Sequence, residues 1–158
     1  GAGRLRSRLF FEGNGLQVSG VELSPEMVRL CQAKGLQAQV MDFRELDFRP
    51  RSFEAVFSLN SLLHVPARQL PGVLKGIRRV LAPGGLFYWG QYGGYQFDGI
   101  WEEDQSDPQR YFRFERDEQI QAHARRFFQV LDFHTVLLEP DDKLHFQALT
   151  LRRAVQGR

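Results

Sequence analysis

Gly1-Ala2-Gly3 opens the chain, and Glu22 ends the apolar run Leu16 to Leu23, about 20 residues on, the spacing at which a strand-end acid reaches a ribose in doubly wound folds. Glycines let backbone approach a ligand closely, and a carboxylate accepts hydrogen bonds from two vicinal hydroxyls. A dinucleotide fingerprint asks for a third glycine three positions after the second, but Arg6 stands there, so a nucleoside without a diphosphate is the better fit. Two further strand ends repeat the arrangement. Asp42-Phe43 follows the run Leu36 to Met41, and Leu59-Asn60 closes the run Phe53 to Leu59. A carboxylate at Asp42 can accept from an exocyclic adenine amine while an apolar neighbour covers the base. Taken singly, Glu22 as a solvated cap, Asp42 as a turn former and Asn60 as a loop residue serve as well; it is their recurrence at successive strand ends that points to a ligand.

The elements that would position these residues alternate. Ser24-Pro25-Glu26 is an N-cap serine, a proline at the first helical position and an acid in the first turn, which predicts a helix from Pro25 to about Lys34, stopped by Gly35. Leu70, Val73, Leu74, Ile77, Val80 and Leu81 recur at helical spacing within Ala67 to Leu81, and Pro83-Gly84-Gly85 breaks the chain before a strand over Leu86 to Tyr92. From Gly93 to Phe114 the sequence is polar and aromatic without clear period, which predicts a functional loop or lid over 93–115. A helix is expected over Asp117 to Phe128, then two strands, Phe133 to Leu138 and Leu144 to Leu151, joined by so short a link that they pair antiparallel. The fold class expected is α/β: a Rossmann-like, doubly wound, mostly parallel sheet with a C-terminal antiparallel hairpin.

At this level the sequence resembles the class I S-adenosylmethionine-dependent methyltransferases. The segments that carry the resemblance are GAGRL, GVELSPEMVRLCQAKG, QVMDFRELDF, FEAVFSLNSLLHVP and IRRVLAPGGLFYWG, in order and at family spacing. The resemblance implies that Gly1 and Gly3 lie under the methionine part of S-adenosylmethionine, that Glu22 binds the ribose and Leu23 flanks the adenine, that Asp42 and Phe43 hold the adenine edge, and that the Leu59-Asn60 backbone faces the amino-acid end. It also implies a first strand upstream of Gly1, so the chain is expected to be an N-terminally incomplete part of a single methyltransferase domain spanning 1–158.

The reaction implied is direct displacement at a sulfonium methyl, with S-adenosylhomocysteine as product. His64, after the fourth motif, is the candidate base. Tyr92, Trp101 and Tyr111 are candidate substrate residues, and a small-molecule O, N or C nucleophile is the expected acceptor. A nicotinamide-dependent oxidoreductase and a catalytically silent binding module are the competing readings.

Composition agrees with one ordinary globular unit: 158 residues, 42% hydrophobic, 25% charged and a net charge of +2. No apolar run of about 20 residues is present to cross a bilayer. The basic residues are scattered along the chain and acids cluster at Glu102, Glu103, Asp104 and Asp107, which makes nucleic acid an unlikely partner. The single cysteine, Cys31, cannot form an internal disulfide and points to the cytoplasm. No metal site is expected, because no His or acidic pair has ligand spacing.

Overall fold

The computed structural model describes residues 2–140 and 143–155. The chain divides into two compact units, Gly1–Asp47 and Phe48–Arg158. Among the described residues no helix is long and apolar enough to cross a membrane.

In the first unit, helix α1 (Ala2–Gly13) is followed by β1 (Ser19–Glu22), α2 (Pro25–Ala33) and β2 (Gln37–Val40). Gly1 lies outside the described residues, and Gly3 stands in the first turn of α1. After α1 the chain turns through Gly15 in the left-handed region, φ 81°. β1 and β2 pair parallel, Ser19 opposite Gln37 through Glu22 opposite Val40. Both strands are shorter than their apolar runs predict, because four residue pairs are all that the two share. α2 starts as its sequence dictates: Ser24 Oγ accepts from Met27 N at 3.3 Å, with Pro25 next. Arg8, on α1, donates to the carbonyls of Val18 and Gln37 and so anchors the helix at the start of both strands.

In the second unit, β3 (Phe53–Leu59), α3 (Leu70–Val80), β4 (Leu81–Gly93), β5 (Phe97–Ile100), β6 (Tyr111–Phe114), α4 (Asp117–Arg125), β7 (Gln129–Leu137) and β8 (His145–Arg152) follow in order. The main sheet runs β3-β4-β8-β7. β3 and β4 are parallel, and β8 is antiparallel to both β4 and β7, the C-terminal hairpin the sequence predicts. α3 is strongly amphipathic, and Leu70, Val73, Leu74, Ile77 and Val80 are all buried. Phe87 and Trp89 of β4 and Leu149 and Leu151 of β8 are also fully buried.

Two readings of the sequence change here. Pro83-Gly84-Gly85 does not precede β4 but lies within it as a bulge: the partner of Phe53 is Leu81 and that of Ala55 is Leu86. The stretch 93–115, read as an irregular loop, holds β5 and β6, paired antiparallel with Phe97 opposite Phe114. Each of those strands has four residues, too few to show a period in sequence. The loop between them is closed by Asp104, whose carboxylate accepts from Arg110 N, Nε and Nη2 and from Ser106 Oγ.

Gly85 admits no side chain. A Cβ there would sit 2.8 Å from Ala82 O and 3.0 Å from Glu54 O, both backbone atoms. Gly85→Ala is therefore expected to destabilise the protein by about 1–3 kcal/mol, read as a lowered urea midpoint at unchanged slope; an unchanged midpoint would show that the bulge relaxes freely.

Candidate functional site

The predicted residues fall into two groups, one in each unit. In the first, Glu22 ends β1, and its Oε1 accepts from Leu23 N at 2.9 Å and Ser24 N at 3.3 Å. The carboxylate is thus aimed by the turn into α2. Met41 N donates to Glu22 O and links the two strand ends, and Asp42 and Phe43 follow at once. Asp42 is not an open acceptor. Both its oxygens receive Arg44: Oδ1 takes the backbone N at 2.8 Å and Nε at 3.0 Å, and Oδ2 takes Nε at 2.8 Å and Nη2 at 2.5 Å. The guanidinium hydrogen bonds hold this carboxyl below the usual carboxylate range, against a smaller desolvation effect.

In the second unit, β3 is followed by Asn60, a non-glycine residue in the left-handed region at φ 48°. Its N–H donates to Gly90 O at 2.8 Å and its Oδ1 accepts from Tyr92 N at 3.2 Å, so the strained turn is tied to β4 on both sides. A single 3₁₀ turn, Leu62–His64, follows. His64 Nδ1 lies 2.9 Å from Tyr111 O of β6. A carbonyl only accepts, so Nδ1 carries the hydrogen, and of the two neutral tautomers this selects the one with Nε2 unprotonated. The same ring packs edge-on to Phe112 at 4.6 Å.

Around that turn stands an aromatic cluster. Leu63, Phe112 and Phe114 form its buried centre, with Tyr92 and Trp101 packed against it. Trp101 meets Phe112 at 5.2 Å and Phe114 at 5.3 Å, both edge-on. The structure therefore brings Asn60, His64, Tyr92 and Trp101 to one region. Tyr111 contributes differently. Its hydroxyl donates to Asp98 at 2.7 Å, and burial, followed by that carboxylate, pushes it up to about 12; what it offers the site is the carbonyl that orients His64.

Sequence reasoning missed the residues that hold this turn. Arg113, 2% exposed, donates from Nε to Val65 O at 2.9 Å and from Nη2 to Leu62 O at 3.1 Å. Its Nη1 lies 2.7 Å from Glu115 Oε1, which His123 Nε2 approaches to 3.0 Å. The carbonyls it serves are 48 and 51 residues away, and nothing local in Phe112-Arg113-Phe114-Glu115 announces them. Nearby on the sheet, Gln91 of β4 and Gln147 of β8 stand directly opposite each other and are fully buried. Gln91 Oε1 accepts from Trp89 Nε1 and Gln147 Nε2 donates to Glu115 O. Gln91 Nε2 and Gln147 Oε1 have no partner.

A family model described as a methyltransferase domain matches residues 1–89. The chain belongs to the class I S-adenosylmethionine-dependent methyltransferase family. It is 40% identical over 68 residues to the sterol 24-C-methyltransferase of Yarrowia lipolytica, across 43% of this chain and 16% of that protein. It is 37% identical over 78 residues to an uncharacterized methyltransferase of Schizosaccharomyces pombe, across 45% and 30%. The chain thus spans well under half the length of these relatives. Among solved structures it resembles an S-adenosylmethionine-dependent methyltransferase of Methanosarcina mazei, with TM-score 0.79 and 17% identity over 94% of this chain and 87% of that one. It also resembles the Burkholderia thailandensis 1,6-didemethyltoxoflavin-N1-methyltransferase, solved with 1,6-didemethyltoxoflavin and S-adenosylhomocysteine bound. There the TM-score is 0.77 and the identity 24%, over 98% of this chain and 68% of that one. These likenesses establish the Rossmann-like α/β fold.

The buried Glu115 fixes a pH dependence. Burial alone pushes its carboxyl up, but the His123 hydrogen bond and the Arg113 charge together outweigh that and leave it below its ordinary 4.5. A carboxyl lowered in the fold stabilises it above the unfolded value and loses that contribution as pH falls through the folded value. Wild type should exceed Glu115→Gln in thermal midpoint at pH 6, with the gap closing below about pH 4. A gap independent of pH would remove the ion pair from the account.

Proposed function

We propose that the protein is an S-adenosylmethionine-dependent methyltransferase acting on a small-molecule O, N or C nucleophile. The observation that carries the reading is the pair of strand ends in the first unit: a carboxylate at Glu22 and a second at Asp42, at the carboxyl ends of two parallel strands, where open α/β sheets bind ligands. That donor set fits a nucleoside. Glu22 offers acceptors for two vicinal hydroxyls, Leu23 and Phe43 offer apolar cover, and Asp42 accepts an exocyclic amine once Arg44 lets go. By the family's pattern alone, Gly1, Gly3 and the Leu59-Asn60 backbone are assigned the amino-acid end.

Bound S-adenosylmethionine supplies an electrophilic methyl group on a sulfonium. The chain's own contribution is to orient and exclude water, which account for much of the acceleration of a direct displacement. Tyr92 and Trp101 give the acceptor apolar walls, and His64 Nε2 takes its proton where the nucleophile carries one. The segment 93–115 is assigned the acceptor side. Relatedness to sterol 24-C-methyltransferases and the fold shared with the toxoflavin-precursor enzyme support a small-molecule acceptor.

Calorimetric titration with S-adenosylmethionine, S-adenosylhomocysteine and NADH in parallel tests the reading. Saturable binding of the first two alone is expected; binding of NADH alone, or of none, would overturn it. Glu22→Gln, which keeps an oxygen for Leu23 and Ser24, should weaken S-adenosylhomocysteine about tenfold or more. Arg44→Ala should leave affinity equal or raise it several-fold, because it frees Asp42; a large loss would instead make the guanidinium part of the binding surface.

A further inference from the structure

Residues that the sequence scatters come together in the second unit at the end of the sheet opposite Asn60. Arg51 precedes β3, Lys75, Arg78 and Arg79 lie on the later turns of α3, Arg126 follows α4, and Arg153 follows β8. All six line one concavity of about 580 Å³ with Pro50 and Phe127, and among the described residues no carboxylate lines it. That volume falls within the range of small-ligand sites, about 300–1,000 Å³.

The wall is built rather than incidental. Arg153 is 8% exposed, and it donates to the carbonyls of Arg78, Arg79 and Leu81, closing the C-terminal end of α3. Arg51 is held in the left-handed region at φ 60°, with its N–H donating to Arg79 O at 3.0 Å. For a side chain other than glycine or asparagine that conformation is costly, and it fixes the side chain's origin at the rim. Arg126 lies over the Phe127 ring at 5.6 Å. The side chains of Arg51, Lys75 and Arg78 make no hydrogen bond or ion pair among the described residues. Burial first, and then the charges of neighbouring Arg78 and Arg51, push Arg153 below its ordinary value.

We propose that this concavity is a binding site for a soluble anion carrying two or more phosphate groups, set apart from the cofactor end of the sheet. Guanidinium groups match phosphate oxygens in paired hydrogen bonds, and several of them converging favour a multivalent anion over a single carboxylate. A bounded pocket with an aromatic wall suits a compact oligophosphate better than a nucleic acid, which would need a basic stripe tracking its backbone. β3 has seven residues, so roughly 20 Å of strand separates the site from Asn60. Occupancy here does not compete with a ligand at the strands' carboxyl ends.

Inorganic tripolyphosphate titrated calorimetrically into the protein is the test, with sulfate and a 20-nucleotide single-stranded DNA as parallel arms. Saturable one-to-one binding of tripolyphosphate, well above sulfate, is expected. Lys75→Gln with Arg126→Gln, two exposed residues outside the sheet contacts, should weaken it about tenfold or more. Arg29→Gln with Lys34→Gln, the same charge removed from α2 and the residue that follows it, should not. Tripolyphosphate binding no tighter than sulfate, equal loss in both double variants, or binding of DNA alone would each overturn the proposal.

Discussion

A buried guanidinium sets the geometry on which the second unit's site depends. Arg113 sits on β6 among aromatic side chains, and a charge in such surroundings is tolerable only if it is paired. Glu115 supplies the charge, and the carbonyls of Leu62 and Val65 take up two donors. Because those carbonyls belong to the 3₁₀ turn that carries His64, satisfying the charge and placing the histidine are one requirement. The Tyr111 carbonyl adds the second constraint, from the same strand, by fixing the ring's tautomer. Loss of β6 would therefore release the turn, its histidine and the aromatic cluster together.

The same economy explains why β5 and β6 exist. Neither strand is long enough to be stable as an isolated hairpin, and their inward aromatics reach Leu63 at the turn after β3. The loop between them is shut by Asp104, whose carboxyl the Arg110 hydrogen bonds hold well below the usual range. Packing against a distant element, rather than local preference, makes this segment strand.

That distinction also decides what the sequence reveals. β3 is legible to the residue, and α2 nearly so, because an N-cap serine, a proline and an apolar period are local signals. The C-terminal hairpin is legible from its short link. The Pro83-Gly84-Gly85 bulge reads as a strand boundary because proline and glycine usually end strands; only the register against β3 shows the chain continuing through it. Candidate residues at strand ends are legible for the same local reason, since the end of an apolar run can be seen. What escapes is whatever is completed beyond the local segment: Arg113 with its carbonyls, Glu115 with His123, and the six cations, Arg153 among them, that gather from four separate segments.

The two strand-end acids of the first unit show how much the local environment adds to residue type. Glu22 and Asp42 are both carboxylates just at or past parallel strands, and composition cannot rank them. Glu22 is oriented by backbone N–H groups of the following turn, which stay in place whatever else approaches. Asp42 is oriented by a partner two residues on, on a flexible stem that is half exposed. A ligand amine arriving at Asp42 must displace charge-assisted hydrogen bonds from Arg44, whereas the backbone donors that aim Glu22 are fixed by the turn itself. The backbone thus dictates the geometry of the first acid, while the geometry of the second follows its arginine.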